Sequence, residues 1–196
     1  IFAGEYVGTL LDEVRAIKYA ADNGAVILQC SWGYTSGTAN PYEWGQQFAT
    51  DEQWELYNPL EKVALDYFTE TAGSPEGVIE GGIAVFAGGN ESAPSAGYPG
   101  AYGKFVSVAA TAGDFTPAVY SNYGPGTTIS APGGDQDYYF EYAPVDANGN
   151  VIRDYMGSVG CILSTIPEWH TDSQIGDLDG DFYGYGYMEG TSMACP

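Results

Sequence analysis

Apolar residues first recur at helical spacing at Leu10, Val14, Ile17 and Ala21, the period that gathers side chains on one face of a helix. Thr9 precedes them with Asp12 three residues on, a capping-box pattern that satisfies orphan amides and sets a carboxylate in the first turn. Asn23-Gly24 supplies a left-handed stop. The next apolar positions are contiguous. Ala25 to Cys30, in AVILQCSWG, reads as a strand buried on both faces. Asn58-Pro59 offers a cap with proline at the first helical position, so a second helix is expected from there to Gly73. Val63, Ala64, Tyr67 and Phe68 make up its expected inner face. GIAVFAGGN follows as a second buried strand, with FVSVAAT and TTISAPG as two shorter ones. A helix leading into a strand in this order predicts a parallel sheet.

Two stretches break the pattern. Residues 34–57 are rich in Tyr, Trp, Asn and Gly with little periodicity, and read as an excursion or inserted loop. From about 135 to 160 the chain turns polar and aromatic. There Tyr138 to Ala143 and Val151 to Tyr155 flank Asn148-Gly149, a strong hairpin signal. CILSTI returns to core, and DLDGDFYGYGY leads into MEGTSMACP. With no internal repeat and no dividing linker, residues 1–196 read as one α/β domain carrying two insertions.

Five Lys plus Arg stand against 26 Asp plus Glu, a net charge of −21. Such a surface repels phosphate backbones and anionic lipid, which argues against nucleic-acid and membrane-surface partners. Gly and charged residues interrupt every apolar run well short of membrane-spanning length. Cys30, Cys161 and Cys195 are far apart, lack zinc spacing and sit among apolar or small residues, so they read as buried thiols. Asp177, Asp179 and Asp181 alternate like the start of a calcium loop. The glycine and glutamate of an EF-hand are misplaced, however, and a solvated acidic turn is expected. Asn90-Glu-Ser92 fits the N-glycosylation pattern, a short match that chance supplies easily. His170, the single histidine, lies in the polar stretch EWHTD and reads as a solvated loop residue. To serve as a base it would need a carboxylate such as Asp172 or Glu168 and a loop folded onto a nucleophile. Neither G-x-S-x-G nor a P-loop pattern occurs.

The chemistry concentrates at MEGTSMACP. Ser192 stands among small residues, two after Gly190 and four before Pro196, as at a helix mouth that presents a hydroxyl. Three blocks occur in order: AVILQCSWG, then GIAVFAGGNESAPSAGYPGAYGKFVSVAAT with YSNYGPGTTISAPGG, then GTSMACP. Together they resemble the second part of the catalytic domain of subtilisin-like serine proteases, over most of the chain apart from the two insertions. The resemblance implies a doubly wound parallel sheet with flanking helices and a serine endopeptidase working through an acyl-enzyme on peptide or protein substrates. By position in the motifs, Ser192 is the implied nucleophile. Asn90 is the implied side-chain donor of the oxyanion hole, assisted by the Ser192 N–H. Free amides at a helix start suit a developing oxyanion. Gly190 has no side chain to obstruct a substrate, and an Asn amide donates without bringing a charge. Ser31-Trp32-Gly33 is implied to pair with an extended substrate, Gly88 and Gly89 to wall the primary pocket, and Gly97 to floor it.

The family's Asp and His motifs lie ahead of residue 1, and its helix after the serine is not in this sequence. The expectation is therefore a fragment, inactive alone, whose natural partner is the N-terminal part of the same catalytic domain. The resemblance also implies a secreted, periplasmic or cell-surface location. No cofactor is required; a structural calcium held by carbonyls around Gly100, Tyr102 and Phe105 is a further expectation. The alternative is a non-catalytic module that binds peptide or glycan through Tyr34, Tyr42, Trp44, Trp54, Tyr138 and Tyr139.

Overall fold

The computed structural model describes residues 8–73, 79–113, 115–136, 147–149, 160–166 and 184–196. Helix α1 (Leu10–Asp22) begins at the expected cap. Asp12 N–H reaches Thr9 Oγ1 (3.3 Å), while the Asp12 carboxylate accepts from the Thr9 amide (3.0 Å) and hydroxyl (2.7 Å). Gly24 ends the turn at φ +84°, a conformation that costs little only without a Cβ. The chain then enters β1 (Ile27–Cys30), pairs β2 (Thr35–Ser36) with β3 (Gln47–Phe48), and forms α2 (Asp51–Tyr57) and α3 (Pro59–Thr71). Strands β4 (Ile83–Ala87), β5 (Val106–Thr111) and β6 (Ile129–Pro132) complete a four-stranded parallel sheet in the order β1-β4-β5-β6. Its register aligns Ile27 with Ile83, Val85 with Val106, and Val108 with Ile129. Strands β7 (Ile162–Thr165) and β8 (Tyr185–Met188) form an antiparallel pair, and β8 delivers the chain to the short helix α4 (Thr191–Ala194).

The core divides across the sheet because alternate strand residues point to opposite faces. On one face Ala84 and Phe86 pack with Ile17, Trp54, Leu65, Phe68 and Phe105. On the other, Val85, Val106, Val108 and Ala110 pack with Ala118 and Ala194. Each large side chain removed from water here is worth about 1.5–3 kcal/mol. Helices thus flank a parallel sheet, a mixed α/β fold.

The structure corrects three readings. β1 is not buried on both faces: it is the edge of the four-stranded sheet, Ile27 is 62% exposed, and only Cys30 of the strand is fully buried. On α3 the inner face is turned from the expected one. Glu61, Ala64, Leu65 and Phe68 are buried, whereas Val63 is 65% exposed. The buried set follows the i, i+3, i+4, i+7 rule once Glu61 is admitted to it. The stretch 34–57 holds a two-residue strand pair and α2, whose Trp54 is fully buried. CILSTI is not core, for β7 is half-buried at its first residue and exposed beyond it. The hairpin strands expected within 135–160, His170 and the aspartates 177, 179 and 181 lie outside the described residues. Cys30 and Cys195 are buried free thiols, and Cys161 is a half-buried one.

Candidate active site

The glycine before α4 sets the site's backbone. Gly190 lies at φ +142°, and its N–H donates to Gly133 O (3.0 Å) and to the Tyr120 hydroxyl (2.9 Å). Thr191, fully buried, then fastens α4 to the end of β4. Its N–H and its hydroxyl both donate to Asn90 Oδ1 at 2.8 Å, and its Oγ1 accepts the Gly89 amide at 3.1 Å. Two donors on the Asn90 carbonyl fix which end of the amide is engaged. Asn90 Nδ2 and the Ser192 N–H have no acceptor among the described residues. Both groups remain available to a ligand.

Ser192 meets β1 by a reciprocal pair of bonds. Its hydroxyl donates to Ser31 O (3.1 Å), and the Ser31 hydroxyl donates to Ser192 O (2.7 Å). Gln29 Nε2 donates to Ser31 Oγ at 2.6 Å. Ser31, Asn90 and Ser192, scattered along the sequence, are thereby brought to one end of the sheet. Beside them opens a cleft of about 200 Å³ lined by Trp32, Gly33, Tyr34, Ala87, Gly89, Asn90, Glu91, Thr191 and Ser192. Gly33 is pressed against Tyr98 O, where a Cβ would approach to 2.9 Å. Gly88 and Gly97 do not line this cleft. They lie buried behind its wall, Gly97 N–H donating to Gly88 O (2.8 Å), and a Cβ on Gly97 would collide with Tyr34 O.

Several residues of the site went unnoticed in the sequence. Asn122 is fully buried, and its Oδ1 accepts the amides of Glu91 (3.1 Å) and Ala93 (2.9 Å). Its Nδ2 donates to Gly88 O (3.0 Å) and to the Glu91 carboxylate (2.5 Å). A single amide therefore braces the loop that presents Asn90. The Tyr120 hydroxyl reaches Gly133 O (3.0 Å) and Gly134 O (2.6 Å) while receiving Gly190 N–H, and burial pushes this phenol up. The only sequence signal for either was a polar side chain in a tight, glycine-flanked turn. Tyr34 lines the cleft with its ring edge-on to Phe48 at 5.0 Å. Burial, and secondarily the neighbouring Glu61, push its hydroxyl up. Cys195, three residues after Ser192, directs its thiol to Cys30 O and Val85 O, each 3.6 Å away, and is enclosed in the core.

Around the expected carbonyl site, Tyr102 O accepts the Phe105 amide (2.9 Å). Among the described residues no group of three or more His, Cys, Asp and Glu side chains is arranged to hold a metal. No described helix is long and apolar enough to cross a membrane.

Comparison with known proteins adds an independent line. The family model described as "Peptidase_S8: Subtilase family" matches residues 3–196. A calcium-dependent protease of Trichormus variabilis is 29% identical over 186 residues, 94% of this chain and 25% of that protein. Subtilisin Savinase of Lederbergia lenta is 26% identical over 161 residues, 80% of this chain and 55% of that protein. Among solved structures, the epidermin leader peptide processing serine protease of Staphylococcus aureus superposes with a TM-score of 0.61 at 22% identity, over 99% of this chain and 43% of that one. The chain thus spans between a quarter and about half of the length of the proteins it matches.

Proposed function

Since the chain belongs to the subtilase family, we propose that the protein containing it is a serine endopeptidase in which Ser192 attacks the scissile carbonyl and Asn90 Nδ2, with the Ser192 N–H, receives the oxyanion. The observation that carries this reading is the double clamp of Thr191 on Asn90 Oδ1, which leaves the amide's donor end free beside Ser192. Preorganised donors stabilise a tetrahedral adduct without reorganising as charge develops. Collapse of the adduct expels the amine and leaves an acyl-Ser192 for water to hydrolyse.

A serine hydroxyl needs a positioned base to take its proton. The family resemblance assigns that base to the family's His motif, and the carboxylate that orients it to its Asp motif. Ser31 to Gly33 hold the backbone of the residues before the cut. The cleft takes a medium to large apolar or aromatic side chain, and the Glu91 carboxylate on its wall also admits a basic end. The substrates are peptides or proteins met outside the cytoplasm.

The test is steady-state kinetics of the full-length protein on a peptide amide and its ester. Ser192→Ala is expected to abolish acylation. Asn90→Ala should keep acylation but slow it by about 10²–10³, the loss found for this donor in a subtilisin. Normal turnover of both substrates by Asn90→Ala would refute the oxyanion role. A strict requirement for Asp or Glu before the cut would refute the specificity.

A further inference from the structure

Two aromatic side chains stand almost wholly in solvent, Tyr42 at 94% and Trp44 at 95% exposure. They do not sit on a loose strand of chain. Asn40 organises the tip: its Oδ1 accepts Tyr42 N–H (3.0 Å), and its main-chain oxygen accepts Glu43 N–H (2.9 Å) and Gln47 Nε2 (3.1 Å). The Thr35 hydroxyl donates to Trp44 O (2.7 Å), and Gly45 follows at φ +111°. Below, β2 and β3 close the base of the excursion. Large aromatic surface held out by a built turn has no role in this chain's own core, and such surface marks contact with something else.

Position identifies the occupant. Ser192 touches Ser31, and the wall of the cleft runs on through Trp32, Gly33 and Tyr34 to Thr35, which holds Trp44. Four extended residues span roughly 13 Å, so a polypeptide lying along this wall passes the tip about four to six residues from its scissile bond. Charge identifies the chemistry. Glu43 stands between Tyr42 and Trp44 in the sequence, with Asp51, Glu52 and Glu55 following on α2. No Lys or Arg occurs from 31 to 57; of the described cations, Arg15, Lys18 and Lys104 pair with acids elsewhere, and Lys62, held mainly by Asp66, reaches Glu55 only at 3.9 Å. Ring faces beside carboxylates fit ammonium and guanidinium groups. We propose that Tyr42 and Trp44 form a secondary binding surface for a Lys- or Arg-bearing stretch of the polypeptide substrate, on the N-terminal side of the bond to be cut. This rests on the protease reading above.

The experiment compares full-length wild type with Tyr42→Ala/Trp44→Ala on three peptides sharing one cleavage site. One stops about three residues before the cut; two extend about eight residues before it, bearing either Lys or Asp in the added part. For the Lys peptide the double variant should raise KM about tenfold at unchanged kcat, as loss of two exposed cation–π contacts implies. The short and Asp peptides should not respond. Trp44→Phe should restore most of the loss, and Glu43→Lys should turn the preference toward Asp. An unchanged KM for the Lys peptide, or equal changes on long and short peptides, would overturn the proposal. Peptide binding to the Ser192→Ala protein, read by tryptophan fluorescence against Ser192→Ala/Trp44→Phe, separates the two readings. Selective binding of the Lys peptide by the Ser192→Ala protein, with a wild type that cleaves none of the three peptides, keeps the surface and sinks the protease. Cleavage without discrimination sinks the surface alone.

Discussion

Asn122 holds together the loop from Gly88 to Ala93, and with it the amide of Asn90. Substitution by Ala would strand the Glu91 and Ala93 amides and leave Gly88 O with the Gly97 N–H alone. Each buried group left without a partner costs about 1–3 kcal/mol, so Asn122→Ala is expected to lose roughly 2 kcal/mol or more in denaturant unfolding, with turnover falling as well. A stability within about 0.5 kcal/mol of wild type, the usual range for innocuous surface changes, would contradict the bracing role. The contrast with Ser192 and Asn90 is instructive. Those two were legible because they stand in short motifs with a known chemical order. Asn122, Thr191 and Tyr120 were not, because each acts by satisfying backbone groups that only folding brings near. A polar residue in a turn looks the same in sequence whether it faces water or a buried amide.

Between helices α1 and α3 the deciding feature is a pair of carboxyl groups. Glu61 is fully buried and takes the Trp54 indole N–H at 2.9 Å, while Glu61 Oε1 and Glu13 Oε1 have no hydrogen-bond partner among the described residues. Burial raises both acids, and the proximity of Glu61 further raises Glu13, to about 8. Among the described residues Tyr34, Trp54 and the Cys30 thiol also face them, and none of these is a cation. In the unfolded chain both acids titrate near 4.5. The folded state therefore holds the extra proton, so the stabilisation is complete below about 4.5 and is lost as pH rises through about 8. Thermal unfolding against pH should show Tm falling across that window. Glu61→Gln, which can still accept from Trp54, should flatten the fall, and an unchanged slope would refute the pair. The same acid explains a misread element. The caps of α1 and α3 were plain in Thr9, Asp12, Asn58 and Pro59, but a glutamate is counted as outward-facing, and that turned the expected inner face of α3. In α2, seven residues are too few to display a period, and its anchor, Trp54, announces burial only once the neighbouring Glu61 is in place.

At the scale of the molecule, a net charge of −21 means acids repel acids over most of the surface. Salt screens such repulsion with a Debye length of about 10 Å at 0.1 M, so added sodium chloride is expected to raise Tm. A flat or falling Tm between low and moderate salt would show that ion pairs such as Lys18–Asp22 outweigh the net repulsion. The parallel sheet, its order of entry and its flanking helices were readable from the alternation of helical and strand periods. Which strand forms the edge was not, because an apolar run records that a strand can be covered, without recording what covers it. The sheet's use is to bring Ser31, Asn90 and Ser192 together at one end. Whether Ser192 is the nucleophile there is read most directly by fluorophosphonate labelling of the full-length protein, with the adduct mapped by mass spectrometry. One stoichiometric adduct on Ser192 is expected, absent in Ser192→Ala and formed about 10²–10³ more slowly in Asn90→Ala. An adduct on another residue, or labelling that survives Ser192→Ala, would contradict the assignment.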